Sequence, residues 1–270
     1  MTGEIALKIH RLSKEYVLGG RKKILVLKDV SFSARKDEFI SIVGPSGCGK
    51  TTLIKLIAGL IEPTEGKVLE NNGNGQGVNR NRGVVFQQYS LFPWLTVEEN
   101  IALGLQIIGV GGQKMQRIVT HYIEVIGLKG FEGAYPKELS GGMQQRVALA
   151  RTLATNPEIL LMDEPFSMLD VQTKRFMQDL LLQILQDEPR TVIFVTHDVE
   201  EAVFLSDTVY IMTPRPGEIK EGVEIDLPRP RDLRVEFSSS FVSIKERIQI
   251  IITAETLKLV KLDLKIYKDL

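Results

Sequence analysis

Gly44-Pro45-Ser46-Gly47-Cys48-Gly49-Lys50-Thr51-Thr52 lies between an apolar run, Phe39–Val43, and residues 53–58, whose apolar spacing reads as a helix. A glycine-rich loop of this spelling binds phosphate when it joins a strand to a helix. Gly44, Gly47 and Gly49 let backbone N–H groups turn inward around phosphate oxygens, and the helix that follows directs the positive end of its dipole at them. Lys50 is expected to reach the β- and γ-phosphates, and the Thr51 hydroxyl to hold Mg²⁺. The bare pattern arises by chance in roughly one chain in a hundred of this length, and the flanking strand and helix lower that further. The stretch is read as a nucleotide site.

Cys48 is the only cysteine. One thiol excludes an internal disulfide and fits a reducing compartment. Its place at a helix start beside Lys50 favours a thiolate. The expectation is a thiol that a maleimide labels and that bound Mg-ATP protects.

The 270 residues suit one large or two small domains with a substantial core. Lys and Arg number 34, Asp and Glu 34, so no basic excess points to nucleic acid. The first residues lack the basic-then-apolar layout of a signal peptide, and no run approaches bilayer-spanning length. The expectation is a soluble protein, or one held at a membrane by a partner.

Residues 5–10 and 24–34 alternate as strands of an antiparallel sheet, with a turn-rich loop, residues 14–20, between them. Tyr16 in that loop is open to two readings, hairpin packing or stacking on a purine. Residues 67–70 read as a strand, 71–82 as a surface loop rich in Asn and Gly, and 83–86 as a buried strand ending at Gln87. An aromatic connector, Tyr89 to Leu95, leads to a helix started by Thr96 with Glu99 in the capping-box position. Ile101, Leu105 and Ile108 share a face of that helix. Met115, Ile118, Tyr122 and Ile126 form a core stripe on the next, which Gly127 stops.

Ser140 caps a helix whose first residues, Gly141 and Gly142, leave N–H groups bare for an anion. An apolar strand then ends in Asp163-Glu164, two carboxylates at the sheet edge where ligands bind in open α/β folds. One can organise a Mg²⁺ shell; the other can orient or deprotonate an attacking water. A helix from Val171 to Gln186 precedes the strand Thr191–Val195, which ends in Thr196-His197-Asp198 and puts His197 on the same edge as a γ-phosphate contact. Thr208–Met212 is expected to complete the sheet. Strands alternating with helices give a mainly parallel α/β core.

Together, residues 44–51, Gln87, 139–146, 159–164, 167–170 and His197 resemble the ATP-binding subunit of an ABC transporter, in that family's order and spacing. Leu-Ser-Gly-Gly-Met-Gln-Gln-Arg, beginning at Leu139, is similar to the family signature, with Met143 where its commonest form has Gln. The stretches at 92–97, 213–217 and 227–231 most resemble the nitrate, sulfonate, taurine and bicarbonate importer branch. The fold implied is α/β: a P-loop NTPase core with a mainly parallel sheet, an N-terminal antiparallel β subdomain and an inserted α-helical lobe. The ATP-binding domain would span 1–235, its helical lobe about 89–153, with a tail at 236–270. In the tail, residues 244–259 suit an amphipathic helix, although 250–253 also read as a strand.

The resemblance implies roles. Tyr16 would stack on adenine; Gly44, Pro45, Ser46, Gly47, Cys48, Gly49, Lys50, Thr51 and Thr52 would hold the phosphates of ATP. Thr51, Gln87 and Asp163 would serve Mg²⁺, Glu164 would be the general base, and His197 the γ-phosphate sensor. Ser140, Gly141 and Gly142 would close over the γ-phosphate of an opposite subunit, with Asp170 coupling the two sites. The implied partners are a second ATP-binding subunit, identical or related, integral membrane permease subunits and, through them, a solute-binding protein, at the cytoplasmic face of the cell membrane. Two other classes are weighed: a non-catalytic ABC-like regulator, which should have lost Lys50 or Glu164, both intact here, and a soluble ABC ATPase of DNA repair, chromosome maintenance or translation. Its usual tandem cassettes, long coiled coils or zinc-binding cysteines do not appear in this sequence.

Overall fold

A computed structural model describes residues 4–19, 22–70, 73–74 and 77–268. The first three residues, and parts of the loops expected around Gly20 and at 71–82, lie outside the described residues. In chain order the strands are β1 (Ile5–Leu18), β2 (Lys22–Arg35), β3 (Phe39–Val43), β4 (Glu65–Glu70), β5 (Gly73–Asn74), β6 (Arg82–Val85), β7 (Ile159–Asp163), β8 (Thr191–Val195), β9 (Thr208–Met212) and β10 (Ile219–Glu224). The helices are α1 (Lys50–Ile57), α2 (Val97–Ile107), α3 (Gly112–Val125), α4 (Gly141–Ala154), α5 (Val171–Asp187), α6 (Val199–Leu205) and α7 (Ser239–Lys268). The chain divides into two compact units, residues 1–79 with 191–270, and residues 80–190.

In the first unit β3 is buried along its whole length. It pairs in parallel with β8 on one side, Phe39 opposite Val192, and with β9 on the other, Ile40 opposite Thr208. Strands buried on both faces read as unbroken apolar runs rather than alternation, which is why Phe39–Val43 and Thr191–Val195 are legible at once. A second sheet is antiparallel, in the order β2-β1-β4-β5. Here three expectations are corrected. Residues 14–18 continue β1 and pair with β2, Tyr16 opposite Ile24, instead of forming a loop. The Asn- and Gly-rich segment contributes β5, paired with β4. The other sheet does not end at β9, because β10 adds to it antiparallel, Gly222 opposite Tyr210. Strand pairing supplies the backbone bonds that weak local propensity does not.

In the second unit β6 runs parallel to β7, Arg82 opposite Ile159 and Val85 opposite Met162. Thr96 caps α2 as expected: its hydroxyl accepts from the Glu99 N–H, and the Glu99 carboxylate accepts from the Thr96 N–H at 2.8 Å. Ile101, Ala102 and Leu105 bury one face of α2. On α3 the buried stripe is Val119, Tyr122, Ile123 and Ile126. Met115 and Ile118 are only half-buried, so the expected stripe is rotated by about one residue toward the helix end. Gly127 stops the helix with a φ of 63°, the left-handed conformation that glycine adopts without a Cβ penalty.

The tail is helical throughout its described length, which settles the strand alternative at 250–253. Phe241, Ile248 and Glu255 recur every seven residues of α7 and are all buried. Buried Glu255 pairs with Lys258 at 2.6 Å and lies 3.9 Å from Lys220. Lys245 joins α7 to Glu200 of α6, and Arg247 joins it to Glu221 of β10.

The segment Leu227-Pro228-Arg229-Pro230-Arg231 is a clamp. Buried Arg231 donates to the carbonyls of Val203, Phe204, Ser206, Ile225 and Leu227. Arg229 donates to the Leu205 carbonyl and pairs with Asp207 at 2.8 Å. These guanidinium groups answer the carbonyls that the end of α6 leaves without helical partners. Burial pushes Arg231 down to about 10, still charged at neutral pH. Arg231→Met should leave those buried acceptors unmet, at a cost of about 3 kcal/mol. The melting temperature should then fall by about 5–10 °C. Lysine, a point charge without the planar fork, should recover little of it. An unchanged melting curve would remove the clamp.

Candidate nucleotide-binding site

The loop joining β3 to α1 is held from behind. Gly217 donates its N–H to the Val26 carbonyl at 2.8 Å and accepts from the Lys28 N–H at 3.0 Å. A Cβ on Gly217 would stand 2.2 Å from the Cys48 carbonyl oxygen. Gly49 has a φ of 111°, and a Cβ there would meet Leu27 Cδ2 at 2.7 Å. Glycine is required at both positions, by close approach and, at Gly49, also by conformation. Arg215 donates to the Gly47 carbonyl at 3.3 Å.

Gly44, Pro45 and Cys48 are buried, while Ser46, Gly47 and Thr51 reach the surface and Thr52 is half-buried. Lys50 is buried, and its Nζ donates to the Gly44 and Pro45 carbonyls at 2.9 and 3.3 Å. The ammonium is therefore stationed within the loop, where phosphate oxygens can replace carbonyls as its acceptors.

Cys48 corrects an expectation. Its side chain is wholly buried, and a Cβ on Gly44 would lie 3.2 Å from its sulfur. The thiol is closed to solvent against Gly44, so position in a motif did not reveal the side chain's burial.

Tyr16, on β1, is exposed, and the Lys14 ammonium lies 5.2 Å from its ring centroid. His197 is exposed just past β8. The turn that carries it is closed by Asp198, whose carboxylate caps α6 by accepting from Glu200 and Glu201 N–H groups at 3.0 and 3.2 Å.

The second unit gathers the other predicted residues. Asp163 ends β7 and is buried; Glu164 follows with a φ of 46°, a sparsely populated conformation for a long side chain and a form of strain found at functional sites. Gln87 Nε2 donates to Ser167 Oγ at 3.2 Å, and Ser167 Oγ donates to the Glu164 carbonyl at 2.8 Å. This chain of bonds ties Gln87 to the backbone that carries Glu164. The sequence reading assigned Ser167 no part in it; its one signal was the short spacing after Glu164.

Ser140 caps α4, accepting from the Met143 N–H at 3.3 Å. A Cβ on Gly141 would lie 2.7 Å from the Tyr89 hydroxyl, and one on Gly142 would lie 2.4 Å from Thr173 Cγ2. Asp170 caps α5, accepting from Gln172 and Thr173 N–H groups at 3.1 and 3.0 Å. Hydrogen bonding from Thr173 holds its carboxyl below the usual range.

Buried Asn100 fixes the aromatic connector. Its amide nitrogen donates to the carbonyls of Phe92, Leu95 and Thr96, and its oxygen accepts from the Phe92 N–H. Arg151 donates to the Ser90 carbonyl at 2.8 Å and covers the Phe92 ring. Trp94 stays exposed, its ring edge-on to Phe92. Asn100 went unread because a polar residue in a helix gives no sign of being buried.

A glycine-rich loop after a parallel strand, a buried lysine inside it and paired acids ending another strand define a P-loop nucleotide-binding protein. The chain belongs to the ABC transporter family of ATP-binding proteins: residues 27–167 match the family described as ABC transporter. It is 50% identical over 258 residues to an uncharacterized ABC transporter ATP-binding protein of Methanocaldococcus jannaschii, covering 96% of this chain and 95% of that one. A nitrate import ATP-binding protein of Synechocystis is 46% identical, covering 82% and 83%. An aliphatic sulfonates import ATP-binding protein of Bacillus cereus is 43% identical, covering 84% and 88%. A dimeric ATP-binding cassette solved in a post-hydrolysis state with ADP and Pi superposes with a TM-score of 0.73 at 33% identity, covering 82% of this chain and 100% of that one. The chain is an ATP-binding ABC ATPase.

The burial of Cys48 sets an expectation opposite to the one from its neighbours. Maleimide should label the native chain on the order of 100-fold more slowly than the unfolded chain, with or without Mg-ATP. Rapid single labelling that ATP suppresses would restore the reactive thiolate.

Proposed function

We propose that this chain is the ATP-hydrolysing subunit of an importer for a small oxyanion, of the nitrate, sulfonate, taurine or bicarbonate kind. The observation that carries this reading is its 46% identity, over 82% of its length, to a nitrate import ATP-binding protein. Two ATP-binding subunits, identical or related, would meet head to tail, each phosphate loop facing the Ser140–Gly142 segment of the other. That the cassette solved with ADP and Pi is dimeric supports a pair of subunits. Permease subunits would dock a short helix beside exposed Trp94, since large exposed aromatics are common anchors of interfaces. The chain would then work at the cytoplasmic face of a membrane, with a solute-binding protein delivering to the permease. Among the described residues no helix is long and apolar enough to cross a membrane.

In this reading Tyr16 stacks on adenine and Lys50 neutralises the β- and γ-phosphates. Thr51, Gln87 and Asp163 offer oxygen donors alone, a hard set that suits Mg²⁺, and bound Mg²⁺ supplies charge neutralisation on the phosphates. Glu164 takes a proton from the attacking water as its oxygen bonds to the γ-phosphorus; the bond from that phosphorus to the β–γ bridging oxygen breaks, and ADP leaves. His197 and the N–H groups of Gly141 and Gly142 hydrogen-bond to the γ-phosphoryl oxygens. Asp170 links the two sites across the seam.

Glu164→Gln should retain ATP binding and lose on the order of 10²-fold or more of its turnover, accumulating an ATP-bound dimer of doubled mass. Affinity purification of that trapped form from membranes should bring with it a polytopic membrane protein. Unchanged turnover would remove Glu164 as base. Trapping without any membrane partner would turn the reading toward the soluble ATPases.

A further inference from the structure

Within residues 105–190 lies a cavity of about 670 Å³ that none of the nucleotide-site residues lines. Such a volume is in the range of small-molecule sites. One wall is aliphatic, made by Ile108, Val110 and Ile118 between the end of α2 and α3. The lining also carries Lys114, Arg117 and Arg190. The one acid lining it, Glu188, is already engaged: it accepts from the Tyr122 hydroxyl at 2.8 Å and from Arg190 at 2.6 Å, and its other oxygen lies 3.3 Å from His121 Nε2. Burial opposes its ionisation, but those bonds outweigh it and hold its carboxyl below the ordinary range. The described side chains give Lys114 and Arg117 no acidic partner.

The lining is therefore net positive, and two further observations bear on its charge. The Arg190 side chain is 6% exposed and holds Glu188, Asn156 and the Pro157 carbonyl, and its buried Nε has no acceptor, so this cation fixes the one acid of the lining and leaves Lys114 and Arg117 as its unpaired charges. Gly111 begins α3 without any side-chain cap, so the positive end of that helix's dipole adds to the charge of Lys114 in its first turn. A bare inorganic ion would satisfy these donors and leave the aliphatic wall wet. We propose that the cavity binds a small amphipathic anion: an aliphatic body seated on Ile108, Val110 and Ile118, and a single carboxylate, sulfonate or phosphate head facing Arg117, Lys114 and Arg190. The site is separate from the residues that serve ATP, and the inference is independent of which solute is transported.

Calorimetric titration of the full chain with butane-, hexane- and octanesulfonate tests this directly. Binding should be one to one and tighten about fourfold per methylene until the wall is covered. Octanoate should bind comparably. Sulfate alone and octanol alone should each bind at least tenfold more weakly. The double variant Lys114→Glu with Arg117→Glu changes exposed side chains and should fold normally. It should weaken octanesulfonate by tenfold or more while leaving basal ATP hydrolysis unchanged. Ile108→Trp, which fills the cavity from its half-buried wall, should weaken octanesulfonate and octanoate alike. The proposal is overturned by the absence of binding to the wild-type chain, by affinity independent of chain length, by several equivalents bound, or by undiminished affinity in the charge-reversed variant.

Discussion

The nucleotide loop must bring backbone N–H groups and an ammonium to one place, and that requirement constrains everything packed against it. Lys50 is buried, with its charge resting on the Gly44 and Pro45 carbonyls. Taking a charge out of water is costly unless partners answer it, so the loop's backbone has to be rigid. Rigidity comes from close approach: β2 leaves no room for a side chain on Gly49, and the Cys48 carbonyl of the loop leaves none on Gly217. Arg215 reinforces this from the Gly47 carbonyl, whereas Arg231, in the other proline-arginine segment, braces the end of α6. In an ABC ATPase these segments look like branch markers; physically they are braces.

The second unit meets a different constraint, holding a carboxylate in place at the end of β7. Glu164 sits in a strained backbone conformation directly after a buried aspartate. Its carbonyl is bonded to Ser167, and Ser167 to Gln87. Gln87 stands two residues before the aromatic connector, whose far end Asn100 fixes. In the proposed function, with Glu164 as the base, a displacement of the connector by a docked permease would have a short, bonded route to it. Coupling of this kind needs contiguous groups with two arrangements, and side-chain hydrogen bonds of this length can be exchanged at small net cost.

Much of this was legible in the sequence because the physics was local. The loop's glycines, the Thr96 capping box, the unbroken apolar strands and the paired acids each follow from a few neighbouring residues. What failed depended on distant ones. Residues 14–18 looked like a loop until paired with β2, and β10 is held to β9 by a pairing no local pattern announces. Cys48 had the right neighbours for a reactive thiol, yet its side chain is closed to solvent. Asn100, Ser167 and Arg231 carry hydrogen-bond networks whose partners lie at other positions in the chain, so residue type alone could not mark them. The tail's ambiguity came from β-branched residues at 250–253 inside a helix whose buried positions recur every seven residues.

The central claim is that neither subunit completes an ATP site alone, because the phosphate loop of one chain must meet Ser140–Gly142 of another. Steady-state phosphate release by the purified chain, measured over a wide range of protein concentration at saturating Mg-ATP, tests it most directly. The account predicts that activity per subunit rises with concentration, total rate approaching second order where light scattering shows monomers. Constant activity per subunit down to fully monomeric protein would contradict it.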